Sequence, residues 1–234
     1  MLQPSDAAAQ LSQLASALGL DQTFEMGSRS LGIAVASSRT SWVRRVRILA
    51  SDYFVKTYDY ATLGAQLRGA LRNTGPLQPS RARREAAALS WLRTHGFAAP
   101  EPVGWEEFRT FGLLRRAILV TAAFPGRRLD AVLRELQTPA RAEVGVALGV
   151  FVARLHAAGF RDGNLDLRNL LLHDDRGTLT FAKIDSPKFR LVRTGSKEDP
   201  WVRADWKRLL PQLAPFALTE IVRDAATAAS DRVI

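Results

Sequence analysis

The chain has no cysteine, only three histidines and no long apolar run. Without cysteine it forms no disulfide and no thiolate metal site, and three scattered histidines do not predict a zinc centre. No apolar stretch approaches the roughly 20 residues that cross a bilayer, and the sequence does not begin with a basic segment followed by a hydrophobic core. We therefore expect a soluble, cytoplasmic protein.

Acidic residues are the minority among the charged ones. The chain has 33 Lys and Arg against 23 Asp and Glu, a formal net charge of +10, and the surplus lies mainly in residues 57–160. Such a charge attracts polyanions, for example a phosphorylated glycolipid, an anionic membrane surface or nucleic acid. A solvated, arginine-rich surface without any such partner explains the same composition.

Polar residues are concentrated after a predicted helix whose apolar run covers Val144–Leu155 and which is expected to end near Gly159. A hairpin follows, with a turn at residues 173–177 and a strand over Leu179–Ile184. Carboxylates and amides in this arrangement suit Mg²⁺, which prefers hard oxygen ligands. A turn-rich hairpin with Asp and Asn as caps explains the same pattern without any chemistry. The polar residues concerned are Asp162, Asn164, Asp166, Asn169 and Asp185.

This layout resembles the catalytic and metal-binding loops of the protein-kinase-like fold. In that family a His-x-Asp-x-x-x-x-Asn loop precedes a hairpin, and an Asp after the second strand binds metal on the nucleotide phosphates. The resemblance implies that Asn169 and Asp185 bind Mg²⁺. The Asp is followed in this chain by Ser186-Pro187 rather than by a Phe-Gly pair, so the usual flexible switch is absent.

The resemblance breaks at the position of the catalytic base. Counting back five residues from Asn169 places Asn164 where the family has its Asp, and Asp162 where it has His. An amide cannot accept the proton of a substrate hydroxyl as a carboxylate does. Three alternatives follow: Asp162 or Asp166 replaces the base, transfer proceeds without a strong base, or the protein does not catalyse.

Three short strands are predicted before this region, over Leu31–Ala36, Trp42–Leu49 and Tyr53–Tyr58. Lys56 in the last of them resembles the third-strand lysine that binds the α- and β-phosphates of ATP. The turn between the first two strands, residues 37–41, contains no glycine. Its hydroxyls and backbone amides, at Ser38 and Thr40 in particular, are candidates to bind a phosphate instead.

A strong helix pattern begins after Ser80, the candidate N-cap, and ends at Gly96. Glu85 on this helix is placed to pair with Lys56, as the helix glutamate of kinases does. An ordinary ion pair with Arg81, four residues before it, is the competing interpretation.

The motif Arg81-x-x-Arg84-Glu85, followed by Gly96-Phe-x-x-Pro100-x-Pro102, narrows the resemblance. It is similar to the lipopolysaccharide kinase family, whose members phosphorylate Kdo or heptose in the lipopolysaccharide core. The resemblance runs over about residues 50–210 and implies an α+β, two-lobed protein-kinase-like fold. The N-terminal lobe would comprise residues 1–123, with an antiparallel sheet and one main helix, and the helical C-terminal lobe residues 124–234.

The activity implied by the resemblance is transfer of the γ-phosphate of ATP, with Mg²⁺, to a sugar hydroxyl. Lys188 and Arg190, with Arg193, follow Asp185 as a basic strip suited to an anionic sugar substrate. The short stretch after Asp185 favours a small-molecule or glycolipid acceptor over a peptide. We expect peripheral contact with the anionic inner face of the membrane, and no sequence-specific nucleic acid.

Two other functions fit the sequence. A pseudokinase that binds nucleotide or a partner without catalysis is favoured by Asn164 and by the lack of a Gly-rich loop. A basic polyanion-binding module without nucleotide is favoured by the net charge. Its affinity would fall steeply with salt, because released counterions drive such binding.

Overall fold

The computed structural model describes residues 4–48, 50–72, 78–192 and 199–230. The chain forms two compact units: unit 1 comprises Met1–Trp91 and Pro100–Phe124, and unit 2 comprises Leu92–Ala99 and Pro125–Ile234. The division between residues 123 and 124 expected from the sequence stays a prediction. Arg193, expected in the basic strip, lies outside the described residues.

Unit 1 is built on a five-stranded antiparallel sheet with the strand order β1-β2-β3-β5-β4. The three predicted strands occur within two residues of their expected ends, although every residue of the first of them, Ile33–Ser37, is exposed. The helices and strands in chain order are α1 (Pro4–Ala17), β1 (Ile33–Ser37), β2 (Ser41–Ile48), β3 (Ser51–Asp59), α2 (Leu63–Arg72), α3 (Arg81–Thr94), β4 (Pro102–Thr110) and β5 (Leu113–Ala122).

The core of unit 1 lies between the sheet and α1. At Gly104 of β4 an added Cβ would lie 2.7 Å from both Ala7 O and Leu11 Cγ of α1. The absence of a side chain there lets the helix approach the strand closely. The buried cluster contains Leu11, Ala15, Met26, Val46, Ile48, Val55, Ile118 and Val120.

Helix α2 was not predicted, since residues 61–80 are polar and interrupted by glycines and prolines. It covers Leu63–Arg72 in the structure. Glycines at 64 and 69 weaken the helical pattern of its sequence. Helix α3 follows the prediction: the Ser80 hydroxyl accepts a hydrogen bond from Arg83 N at 3.1 Å, and Gly96 has φ +77 after its end.

Unit 2 is largely helical, with short strands that carry the polar loop. Its longest helix packs against the last one: a Cβ at Gly149 would overlap the carbonyl of Val222. The elements in chain order are β6 (Arg127–Arg128), α4 (Leu129–Glu135), α5 (Thr138–Ala157), β7 (Phe160–Arg161), β8 (Leu170–Asp175), β9 (Thr178–Lys183), β10 (Arg190–Leu191), α6 (Pro200–Leu213) and α7 (Thr219–Ser230). Its main core cluster includes Leu133, Leu148, Val152, Leu167, Phe181, Leu209 and Val222.

The hairpin of β8 and β9 brings the two ends of the polar stretch together. Helix α5 stops at Gly159, which has φ +87, and the hairpin pairs Leu170 with Lys183. Beyond this pair, Ile184 N donates a hydrogen bond to Asn169 O at 2.9 Å. Residues 169 and 185 are therefore neighbours in space. In the described ranges no helix is long and apolar enough to cross a membrane.

Candidate functional site

Asp185 follows β9 with φ +57, in the left-handed region that favours glycine. Non-glycine residues persist in that region only where the surroundings stabilise them, and they cluster at functional sites. Asn164 provides such surroundings, because its Nδ2 donates to Asp185 O at 2.9 Å and lies 3.2 Å from Asp185 Oδ2. The carboxylate is thereby fixed beside the polar loop, residues 162–169.

Asn169 completes a hydrogen-bonded set of three residues with Asn164 and Asp185. Its Nδ2 donates to Asn164 O at 3.2 Å. Within the described part of the chain, no hydrogen bond to Asn169 Oδ1 is formed, so that oxygen is available as a ligand. An amide oxygen and a carboxylate are donors that fit Mg²⁺, which binds through one or two carboxylates and completes its coordination with waters and phosphate oxygens. The described residues contain no group of three or more His, Cys, Asp or Glu that could bind a metal by itself.

The backbone of the polar loop is fixed by Asp205 of α6, which the sequence did not single out. Its Oδ2 accepts from Asp162 N at 3.0 Å and its Oδ1 from Gly163 N at 2.9 Å. His156 Nε2 lies 3.2 Å from the same Oδ2. The sequence signal was a carboxylate one turn before Leu209, in the row of residues that the structure shows to be the buried face of the helix.

Asp162 is fully buried, and so is its ion-pair partner: Lys183 Nζ lies 3.1 Å from Asp162 Oδ2, with both side chains 0% exposed. Burial raises the pKa of Asp162 to about 6, although the charge of Lys183 opposes this. The sequence offered Asp162 as a replacement base. Its pKa suits that role, but in this structure the carboxylate faces Lys183 and has no exposed surface.

Asp166 caps the short turn that follows it. Its Oδ1 accepts from the N and Nε of Arg168, both at 3.0 Å, and its Oδ2 lies 2.9 Å from Arg168 and 3.2 Å from Arg208. These hydrogen bonds, those of Arg168 first, lower the pKa of Asp166 to about 2. A carboxylate with so low a pKa is a weak proton acceptor, so the structure gives Asp166 a capping role.

The two cations predicted for substrate binding differ in their surroundings. Lys188 is exposed, and its backbone lies beside the polar loop: a Cβ at Gly163 would be 3.4 Å from Lys188 Cβ. Arg190 is also exposed, but its Cζ lies 4.0 Å from the ring centroid of Trp201. Lys188 is thus the better placed of the two to contact a molecule bound at the loop.

Lys56 and Glu85 form the expected ion pair in unit 1. Lys56 Nζ lies 2.7 Å from Glu85 Oε2, with side-chain exposures of 18% and 6%. The hydroxyl of Tyr58 lies 3.3 Å from the same oxygen. Arg81, the competing partner of Glu85, has its Cζ 5.6 Å from the ring centroid of Tyr58 instead. Lys56 therefore has a fixed position on β3.

In the turn between β1 and β2, the Ser38 hydroxyl forms hydrogen bonds within the turn itself. Ser38 Oγ donates to Ser41 O at 2.9 Å and accepts from Ser41 N at 3.1 Å. Arg29, which the sequence did not indicate, donates to Ser38 O at 2.7 Å and to Arg39 O at 3.0 Å. Thr40 is exposed. Of the two residues predicted to bind phosphate, Thr40 has the less engaged hydroxyl.

Comparison with known proteins adds two matches. The model of the lipopolysaccharide kinase (Kdo/WaaP) family matches residues 36–226. A solved structure, "WaaP in complex with acyl carrier protein", is similar with a TM-score of 0.57 and 20% sequence identity, covering 92% of this chain and 91% of that one. No curated protein sequence matches. The structural likeness confirms the predicted α+β, protein-kinase-like fold.

Proposed function

Because the chain belongs to the lipopolysaccharide kinase (Kdo/WaaP) family, as its motifs predicted, we propose that it transfers the γ-phosphate of ATP to a hydroxyl of a lipopolysaccharide-core sugar. The observation that carries this proposal is the left-handed conformation of Asp185, stabilised by Asn164 and joined through it to Asn169. A conformation that costs free energy is expected where function needs it.

The roles follow from the chemistry of each side chain. Lys56, oriented by Glu85 at 2.7 Å, would bind the phosphates of ATP. Asn169 and Asp185 would bind Mg²⁺, which supplies charge neutralisation on the phosphates during transfer. Lys188 beside the polar loop would attract the anionic acceptor.

The proton of the acceptor hydroxyl would leave without a strong base at the family position. Support comes from the surroundings of the carboxylates, since Asp162 is buried against Lys183 and Asp166 is bound by two arginines. Phosphoryl transfer through a loose transition state depends mainly on positioning and charge, so a base adds less there than in other reactions. Asn164 would act by fixing Asp185.

A pseudokinase is the second candidate, and the same residue favours it. Asn164 stands where the family has Asp, and loss of a general base lowers rates by about 10²–10⁴-fold. Such a protein would bind Mg²⁺-ATP and not turn it over.

The test is ATP turnover against a panel of lipopolysaccharide-core sugars. We expect phosphate transfer by the wild-type chain to at least one Kdo- or heptose-containing acceptor, and loss of transfer in Asp185→Ala. Asp175→Ala, an exposed carboxylate on the β8–β9 hairpin, is the matched control and should keep wild-type turnover. ATP binding without transfer to any acceptor would favour the pseudokinase.

Asn164→Asp separates the two candidates further. A carboxylate at position 164 would face Asp185 O and Oδ2 without a proton to donate. We therefore expect turnover to stay the same or fall. An increase of about 10²-fold or more would mean that the wild-type amide is a missing base, as the pseudokinase interpretation requires.

The location is part of the same proposal. We propose that the protein works in the cytoplasm and contacts the anionic inner face of the membrane, where its acceptor would lie. The net charge of +10 supports this.

A further inference from the structure

Two oppositely charged side chains, those of Asp162 and Lys183, are fully buried in unit 2. Lys183 Nζ lies 3.1 Å from Asp162 Oδ2, and both side chains are 0% exposed. Lys183 ends β9, two residues after the core residue Phe181, where the alternation of the strand favours an apolar side chain. Lys and Asp are almost never fully buried unless they are paired. A charge pair at this depth therefore requires an explanation other than core packing.

Stability by itself does not explain the ion pair. Removing two ions from water costs free energy that their mutual attraction offsets only in favourable geometry, and apolar residues of similar volume often stabilise a core as well or better. Buried ion pairs are retained in some proteins because they fix one arrangement of the chain. A feature that works against stability is expected beside a functional site.

The contacts of the pair show which arrangement it fixes. Besides its contact with Asp162, Lys183 Nζ donates a hydrogen bond to Ile184 O, the carbonyl directly before Asp185. One ammonium group thus joins the first residue of the polar loop to the peptide group that precedes Asp185. Asp162 is fixed in turn, because its N donates to Asp205 Oδ2 at 3.0 Å. The pair therefore restrains Asp185 relative to the polar loop.

We propose that Asp162 and Lys183 are positioning residues, whose ion pair holds the peptide group between Ile184 and Asp185 against the polar loop. Lys183 binds Ile184 O and Asn164 binds Asp185 O, so the carbonyls on both sides of the Asp185 Cα are fixed. Such restraints let a left-handed aspartate persist at this position. The consequence for Mg²⁺ binding rests on the proposed function, whereas the restraint itself does not.

A paired apolar replacement separates positioning from stability. Leu has as many heavy atoms as Asp, and Met has one fewer than Lys, so Asp162→Leu combined with Lys183→Met nearly preserves the volume of the site. Each single substitution leaves one buried charge unpaired and should lower the melting temperature by roughly 10 °C. The double variant should return to within about 3 °C of wild-type, because it leaves no unpaired charge.

Hydrogen exchange of the ligand-free chain tests the restraint directly. In the wild-type chain Ile184 N donates to Asn169 O at 2.9 Å, and Gly163 N donates to Asp205 Oδ1 at 2.9 Å. Both amides should therefore be protected from exchange. In the double variant we expect both to exchange about tenfold faster or more, with the exchange of the α5 amides unchanged, because the loop and the residues before Asp185 open locally.

The matched control removes an exposed ion pair of the same unit, that of Glu220 and Arg223 on α7. Glu220→Gln combined with Arg223→Gln should leave the exchange of both amides unchanged. Wild-type protection in a double variant of restored stability would overturn the proposal. If the double variant stays less stable, exchange in Lys183→Met well below its own melting temperature decides. Faster exchange confined to residues 162–169 and 184–186 supports positioning, and a uniform increase over unit 2 contradicts it.

Ligand binding tests the consequence for the candidate site. In the double variant the affinity for ATP without Mg²⁺ should not change, because Lys56 lies in unit 1. The strengthening of ATP binding by Mg²⁺, about tenfold in the wild-type chain, should be largely lost. A double variant that keeps the Mg²⁺ effect and loses only turnover would identify Asp162 as the base and contradict positioning. If wild-type shows no Mg²⁺ effect, the proposed function fails, and hydrogen exchange still decides whether the pair positions Asp185.

Discussion

Asp162 and Asp166 illustrate how neighbours decide what a carboxylate can do. They are four residues apart, yet burial against Lys183 raises the pKa of Asp162 to about 6 and the arginines lower that of Asp166 to about 2. The sequence places both in the polar loop and cannot distinguish them. Burial raises the pKa of Asp162 although Lys183 opposes it, whereas hydrogen bonds from Arg168 and the charges of Arg168 and Arg208 lower that of Asp166.

The low pKa of Asp166 makes stability depend on pH. Because the folded pKa is below the unfolded value of about 3.9, the contribution of the carboxylate is complete above about pH 4 and is lost as the pH falls through about 2. We expect wild-type to exceed Asp166→Asn in free energy of unfolding by roughly 1–2 kcal/mol at pH 5. Urea unfolding from pH 5 down to about 2.5 should show this difference shrinking, and a constant difference would refute the assignment.

Single residues were predictable where the chain places them on a regular element. Lys56 on a strand and Glu85 on a helix were both expected, and the structure confirms their ion pair. The contacts of Arg29 were not expected, because they are with a turn that begins eight residues later and no local sequence pattern indicates them. Their roles in binding stay predictions.

At the scale of elements, α6 contributes to the site from a distance. Asp205 on this helix accepts hydrogen bonds from Asp162 N and Gly163 N and so fixes the backbone of the polar loop. Without these acceptors the two buried or half-buried N–H groups would lose their partners. The helix is thus part of the candidate site through its contacts with the loop backbone.

Asp205→Ala should lower the free energy of unfolding by about 2–4 kcal/mol, because each unsatisfied buried donor costs roughly 1–3 kcal/mol. It should also lower turnover, since Asn164 follows the loosened backbone directly. Denaturant unfolding and the turnover assay measure the two effects. Asp224→Ala, an exposed aspartate on α7, should change stability by no more than about 0.5 kcal/mol. Equal effects of the two substitutions would contradict the role of Asp205.

Elements with strong end signals were predictable and the others were not. The ends of α3 were predicted correctly from Ser80 and Gly96, because an N-cap and a left-handed glycine each act within one turn of the helix. Helix α2 was missed, since its glycines and polar residues predict a loop. Tertiary contacts commonly override such weak propensity.

For the whole molecule, family membership and fold rest on motifs spread over the chain rather than on any one of them. The family model covers residues 36–226, and the structural likeness to WaaP extends over 92% of the chain. Asn164, at the position of the family's catalytic Asp, departs from that pattern. Phosphate transfer by this chain therefore depends on whether the remaining residues of the proposed nucleotide site bind Mg²⁺-ATP.

The most direct measurement is the affinity for ATP with and without Mg²⁺, in wild-type and Asp185→Ala. Mg²⁺ should strengthen ATP binding about tenfold or more in the wild-type chain and in Asp175→Ala, because a metal bound by Asp185 links protein and phosphates. It should have no such effect in Asp185→Ala. If Mg²⁺ strengthens ATP binding equally in Asp185→Ala, Asp185 is not the metal ligand and the proposed phosphotransfer site is wrong.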